Sequence, residues 1–288
     1  MAYSHYIDYG LHPEICDTPN PIVYEKRGNV VVRLATDEME VRAAQALRYQ
    51  VFFEQLSARP TLKQRLTRLD VDGYDKLCDH LIVTTRDDVS DVTPLARLKT
   101  GETVVGYYRL LHGTAAERGP GFYSASEFDL SAMLSLAGAG LNILELGRSC
   151  VAPSFRAKQT VDLLWSGLGA YINYYSIDAL MGCASFAGID AQALAQPLSL
   201  LHHTRRTPEQ WYVRALPERY VDMNQIPEDE IDFRSALRSI PPVLRGYYRA
   251  GCYIGDGAVI DHDFSTVDVF VLLPMHVLAD RYRERYTD

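Results

Sequence analysis

The sequence predicts a mixed α/β protein, a central mixed β-sheet flanked by helices. Strand candidates first alternate with helical stretches and later follow one another through hairpin-like links, a pattern that calls for both parallel and antiparallel pairing. With 288 residues, 47% of them hydrophobic, the chain can bury a full core, and single α/β domains of this size are ordinary.

Residues 1–27 are rich in Tyr and Pro, show no clear period and read as an N-terminal arm; 28–288 read as a single domain. NVVVRLATD (29–37) is a strand whose final Thr36 and Asp37 can cap a helix over roughly 38–55. A more polar helical stretch follows Pro60. Strands then read at 78–86 and 102–113, divided by a polar loop, and a Gly- and Ser-containing segment (113–140) carries the motif SEFDL. LNILELGRSCVA is the next strand, running through Pro153 and a basic turn into the helix AKQTVDLLWSGLGAYINYYS. After it come a strand (178–188), a helix from about Asp190 to His203 and a strand candidate, WYVRALP (211–217). Residues 218–240 are charged and irregular, 241–251 look helical, and VDVFVLLP (267–274) is the final strand. GCYIGDGAVIDHDF, with three glycines in its first seven residues, reads as a tight chain crossing or a closing loop. No internal repeat is visible.

Composition narrows the function. The N-terminus has neither a basic n-region nor an apolar h-region, and no stretch approaches the roughly 18 apolar residues of a membrane span. Five scattered cysteines (16, 78, 150, 183, 252) without CxxC spacing imply reduced thiols in a cytoplasm. A net charge of −8 disfavours nucleic acid as a partner. The expectation is a soluble cytoplasmic protein.

The chemistry concentrates in ELGRSCVAPSFRAKQTV (145–161). A helix start offers unpaired N–H groups and the positive end of a dipole, a cradle for phosphate. Arg156 and Lys158 sit at that start, where cations oppose the dipole, so local stability does not explain them and a bound phosphate would. His202, His203, Arg205 and Arg206 could extend a basic patch, although cations at a helix C-terminus need no further reason. Glu145, mid-strand between leucines, is solvent-facing, the partner of a buried cation, or functional. Glu145 and Arg148 are three apart and would face opposite sides of a regular strand. Both serve one site only if the strand holds an extra residue, and Gly147 suits a β-bulge there, which would free an N–H to polarise a reacting carbonyl. LDVDGYD (69–75) resembles a calcium loop only superficially: its glycine falls at the wrong step and Leu81 stands where the loop needs Glu. Asp72 and Asp75 read more simply as turn-capping carboxylates. Arg109 is a strand-edge cation, a partner for them, or a partner for a substrate carboxylate. Cys150 has no His placed beside it and reads as a small buried group rather than a nucleophile. The Asp261–Asp263 triplet and the His202–His203 pair lack metal-site spacing, so no metal is expected.

The element order resembles the Gcn5-related N-acetyltransferase (GNAT) fold. That family's carrier motif runs V-x-P-x-x-R-x-x-G-x-G; Val151, Pro153 and Arg156 match its first half, while 157–161 hold no glycine. Those glycines let backbone wrap a pyrophosphate, so their loss points away from coenzyme A and toward the single phosphate of a carrier protein's phosphopantetheine arm. LRYQVFF, DGYD, YRLL, SEF and ELGR (Arg48, Phe52, Asp72, Asp75, Arg109, Phe128, Glu145, Arg148) occur in the order seen in acyl-homoserine-lactone synthases. YSASEFDL, LELGRSCV, GCASFAGIDA, LSLLHH, VRALPERYVDM and the long run from 241 to 274 together resemble bacterial L-ornithine Nα-acyltransferases. That resemblance implies transfer of a 3-hydroxyacyl group from acyl carrier protein to the α-amine of ornithine, giving lyso-ornithine lipid. The alternatives are the same chemistry on glutamine or lysine, and a homoserine-lactone-type synthase. It implies Glu145 as base and Asp72, Asp75, Arg109, Arg148 and Ser149 around the amino acid. Cys150, Val151, Arg156 and Lys158 would hold the phosphopantetheine. It implies no permanently bound cofactor, acyl carrier protein as the partner, contact with the inner membrane from the cytoplasmic side, and a family-specific insertion or extension over 218–266.

Overall fold

The computed structural model describes residues 23–278 apart from 57, 138, 139 and 157. Its elements are, in order, β1 (Val23–Arg27), β2 (Val30–Leu34), α1 (Glu38–Tyr49), α2 (Leu62–Thr67), β3 (Asp79–Thr85), β4 (Thr103–His112), α3 (Gly113–Arg118), β5 (Phe128–Asp129), α4 (Ser131–Ala137), β6 (Ile143–Val151), α5 (Lys158–Tyr175), β7 (Ala179–Ala187), α6 (Ala195–Arg205), β8 (Arg214–Ala215), α7 (Phe233–Ser239), α8 (Pro242–Ala250), β9 (Tyr253–Asp261) and β10 (Thr266–Pro274). Within the stretch expected as one acyltransferase domain, these gather into two compact units. One is drawn from 23–119 and 146–175, the other from 120–145 and 176–278.

In the first unit β1, β2, β3 and β4 pair antiparallel in sequence order, with the second half of β6 beyond β4. The strand β1 falls inside the stretch read as an arm; its first-to-last pairing with β2 makes residues 23–27 an edge strand. Asp37 caps α1 as expected, accepting from Glu40 N at 2.9 Å. The helix expected over 38–55 changes character at Gln50, where a π-helical turn (Gln50–Gln55) replaces the α ladder, and Gln50 bonds the loop carbonyl of Asp91 and the N–H of Thr93. α5 packs close on β2: a Cβ on Gly167 would lie 2.6 Å from Val32 Cγ2, so only glycine permits that approach. Its buried Tyr171 donates to Asp79 on β3 and is bonded by His112 Nε2 on β4, each at 2.5 Å. Burial pushes the Asp79 carboxyl up to about 7.

The second unit orders β6, β7, β10, β9, β8 and β5. β6 and β7 are parallel over Ile143–Glu145, β8 and β9 are parallel, and the remaining pairs are antiparallel. Both units therefore carry sheet with helices against it, and their pairings together are mixed. The segment read as a chain crossing or closing loop is instead the strand β9. Its glycines build a bulge, since the register moves from Val269↔Ala258 to Val271↔Ile254. Gly257 sits at φ +83, with Tyr220 where a Cβ would be, so the bulge needs glycine for both backbone and space. Helix α7 interrupts the stretch read as irregular: Asp232 accepts from Ser235 N at 3.0 Å and caps seven residues, too few to show a period. α6 starts at Ala195 rather than 190, because Asp190 closes a turn by accepting from Gln192 N and Ala193 N. WYVRALP shrinks to the two-residue β8.

Candidate active site

In the first unit three arginines and three aspartates close into a ring. Arg48 from α1 bonds Asp70 (2.8 Å) and Asp75 (2.7 Å). Arg109 from β4 bonds both oxygens of Asp72 (2.7 Å each) and Asp75 (3.2 Å). Arg148 from β6 bonds Asp70 and Asp72, each at 3.2 Å. Every carboxylate thus bridges two guanidiniums and every guanidinium two carboxylates, so six formal charges sum to zero in a largely dry place. The aspartates also cap locally as the turn reading expected: Asp72 accepts from Tyr74 N, and Asp75 accepts from Asp72 N, around a 3-10 turn (Gly73–Leu77).

The ring is graded in exposure. The Arg48 side chain is 0% exposed and those of Arg109 and Asp75 are 4% and 5%, whereas Asp72 and Arg148 reach 23% and 12%. Burial alone would raise the Asp75 carboxyl, but Arg48 and Arg109 outweigh it and hold it below the ordinary range. At Asp72 the same opposition, with Arg109 foremost among the cations, also ends below that range. Beneath the ring, burial lowers His80 to about 4. Its Nε2 meets the Asp75 carbonyl (2.9 Å) and must donate, so Nδ1 accepts from Tyr107 Oη (2.7 Å), and the ring is neutral.

Arg148 occupies the left-handed region, φ 53, a conformation costly for a non-glycine residue and held here by its bonds to Asp70 and Asp72. The strand irregularity expected at Gly147 therefore falls one residue later. Ser149 is half-buried beside it. Cys150 is buried, and burial pushes its thiol up to about 12, which leaves it a thiol. Arg156 turns back on its own strand, donating from Nε to the Val151 carbonyl (3.0 Å) and from Nη2 to Gln55 (2.7 Å). The side chain of Lys158 lies outside the described residues.

The second unit holds Glu145, 4% exposed. Its carboxylate accepts from Tyr123 N (2.7 Å), Ser124 N (2.8 Å) and Ser124 Oγ (2.6 Å), three donors that offset the cost of burying a charge. Cys183 on β7 lies 3.4 Å from Ser124 Oγ and 3.5 Å from Glu127. Glu127 is bonded by Arg219 (3.0 Å) and shares a space within 4.8 Å with Asp261 and Asp268. Burial, then repulsion from Asp268 and Asp261, raises it to about 7. Ser124, Cys183 and Glu127 escaped the sequence reading. Ser124 and Glu127 lie in the motif YSASEFDL and Cys183 in GCASFAGIDA; Phe128 of the first motif packs on Phe270 in the core. Two members of the basic cluster at the end of α6 have structural contacts: Arg205 lies over Tyr248 and donates to its carbonyl, and His203 meets the Ile226 carbonyl, while Arg206 is exposed.

The acetyltransferase (GNAT) domain family matches residues 47–166. The chain is 44% identical over 265 residues to an L-ornithine N(alpha)-acyltransferase of Brucella abortus, covering 92% of this chain and 91% of that protein. It is 41% identical to the Agrobacterium fabrum protein of the same name (93% and 88% covered) and 37% identical to that of Rhodobacter capsulatus (93% and 96%). Among solved structures it is similar to the AHL synthase LasI, with a TM-score of 0.45, 13% identity and coverage of 89% and 94%. The chain therefore belongs to the L-ornithine N(alpha)-acyltransferase family and is an acyltransferase built on a GNAT domain.

Proposed function

We propose that this chain transfers a 3-hydroxyacyl group from acyl carrier protein to the α-amine of L-ornithine, giving lyso-ornithine lipid. The observation that carries the amino-acid half is the charge ring. At its more open members a carboxylate, Asp72, and a guanidinium, Arg148, stand 3.2 Å apart, a pairing suited to a ligand with both a cation and a carboxylate. Asp72 takes the side-chain ammonium and Arg148 the carboxylate, with Arg109, Asp75 and Ser149 behind them.

Glu145 is the base. The amine nitrogen attacks the thioester carbonyl, the C–N bond forms as the C–S bond breaks, and the nitrogen's proton passes to Glu145. The phosphopantetheine thiolate leaves and is protonated from water. Positioning accounts for much of the rate, because the thioester is already activated. Cys150, Val151, Arg156 and Lys158 hold the phosphopantetheine arm, with acyl carrier protein as co-substrate and no cofactor of the protein's own. Among the described residues no helix is long and apolar enough to cross a membrane. A lipid product made by such a chain fits work in the cytoplasm with peripheral contact at the inner membrane.

The test is purified protein with 3-hydroxyacyl-acyl carrier protein and, separately, ornithine, glutamine, lysine and S-adenosylmethionine, with products weighed by mass spectrometry. Acylated ornithine is expected. Acylation of none of them overturns the reading, and preference for glutamine or lysine moves it to that amino acid.

A further inference from the structure

Residues 58–68 hold four cations, Arg59, Lys63, Arg65 and Arg68, and no acidic residue, in a chain of net charge −8. All four are exposed. Among the described residues Arg68 is paired with Glu54 (2.5 Å), and no ion pair is found for the other three. In the midst of these cations α2 presents Leu62 and Leu66, 73% and 77% exposed, the two most exposed large hydrophobic side chains among the described residues. Leu56 and Val71 on the flanking segments are 50% and 41% exposed. Four residues apart on a helix, Leu62 and Leu66 stack on one face, with Lys63 to one side and Arg65 to the other. The short helix is held in shape by a capping box between Thr61 and Gln64, so the leucines are displayed by a fixed turn.

Exposed leucines scattered singly are ordinary. Two on one face, ringed by cations and offered outward, match what binds a bilayer interface: apolar side chains enter the acyl boundary while Lys and Arg meet anionic headgroups. We propose that the surface formed by Leu56 and residues 58–71 docks the protein on an anionic lipid bilayer. This rests on the reading that the product is a lipid, which must leave the enzyme for a membrane. An acidic carrier protein would also meet cations, but two apolar side chains standing this far into solvent fit a hydrocarbon boundary better than a protein surface that is itself charged.

The test is flotation of the full chain with vesicles of phosphatidylcholine alone and of phosphatidylcholine mixed with phosphatidylglycerol. The wild type should prefer the anionic vesicles. The double variants Leu62→Ser/Leu66→Ser and Lys63→Glu/Arg65→Glu should each lose about tenfold or more in partition, the first because two apolar side chains no longer enter the acyl boundary and the second because two basic residues no longer meet the anionic surface. All four positions are exposed, so thermal melts should match the wild type. Equal binding to both vesicle types, or unchanged binding by both variants, overturns the proposal. Variants that keep vesicle binding and lose affinity for acyl carrier protein also overturn it, making this a carrier-docking surface. Binding is read without turnover, so a wrong substrate assignment would leave this outcome untouched.

Discussion

Asp75 and Asp72 belong to one charge ring but differ in exposure, and substituting each by Asn should separate scaffold from binding. Asp75 is 5% exposed and accepts from Arg48, Arg109 and Gln45. Neutralising it leaves two guanidiniums, 0% and 4% exposed, with one carboxylate fewer between them. Breaking a buried ion pair from one side costs about 3–5 kcal/mol, a large share of the roughly 5–15 kcal/mol that holds a typical domain. Asp72 is 23% exposed, so water replaces part of what Asn fails to supply, and the cost falls to about 1–2 kcal/mol. Urea unfolding measures both stability costs, and the KM for ornithine reads the loss of binding. Asp75→Asn should unfold far earlier. Asp72→Asn should stay folded while KM rises about tenfold or more. The pH dependence has a definite sign: carboxyls held below their ordinary range contribute stability above the unfolded pKa, and it is lost as pH falls through the folded one. The wild type should therefore weaken from about pH 4 downward, and Asp75→Asn should blunt that slope. Equal stability loss in the two variants, or an Asp75→Asn protein as stable as the wild type, would refute the division.

Glu145→Gln should lower turnover by about 10²–10⁴-fold with ornithine KM little changed. Its amide N–H₂ must face either Tyr123 N–H or Ser124, so about 1–3 kcal/mol of stability should go as well; near-normal turnover would end its assignment as base. Asp79, raised to about 7, contributes fully below its unfolded pKa and loses that contribution as pH rises through 7. With ~3 units at 1.36 kcal/mol each, ~4 kcal/mol is at stake. Asp79→Asn should be the more stable protein at about pH 9 and lose most of that advantage by about pH 5, read by urea unfolding; parallel curves would contradict it. Cys150→Ala should keep turnover within a few-fold, as a buried thiol near 12 is no nucleophile; abolished acylation, with the fold intact, would revive covalent catalysis.

Long periodic elements were legible because burial dictates their residues. β3 is buried along its whole length and read as a strand from DHLIVTT alone, and Asp37 announced α1 because an N-cap is a local bond. The misreadings fall where local signals are short or ambiguous. Glycines in 251–257 signal a loop by propensity, yet Gly257 serves a bulge in β9 shaped by Tyr220, a residue of another segment. The seven residues of α7 fit inside a charged stretch with no room for a hydrophobic stripe. The π turn after α1 leaves no mark in composition.

For the site, position and charge state were legible to different depths. The spacing of Asp70, Asp72 and Asp75 places three carboxylates on one turn, and family order points to Arg48, Arg109 and Arg148. That they close into a neutral ring depends on α1, β4 and β6 bringing one guanidinium each, which no local pattern encodes. The neutrality has a chemical consequence. With each guanidinium already shared between two carboxylates, a lone anion or a lone cation arriving at Asp72 and Arg148 would unbalance charges that burial makes costly. A ligand carrying both signs replaces one shared contact of each kind and leaves the balance as it was. On the proposed assignment the ring would therefore favour zwitterions over simple acids or amines by its own electrostatics, before any shape selection acts.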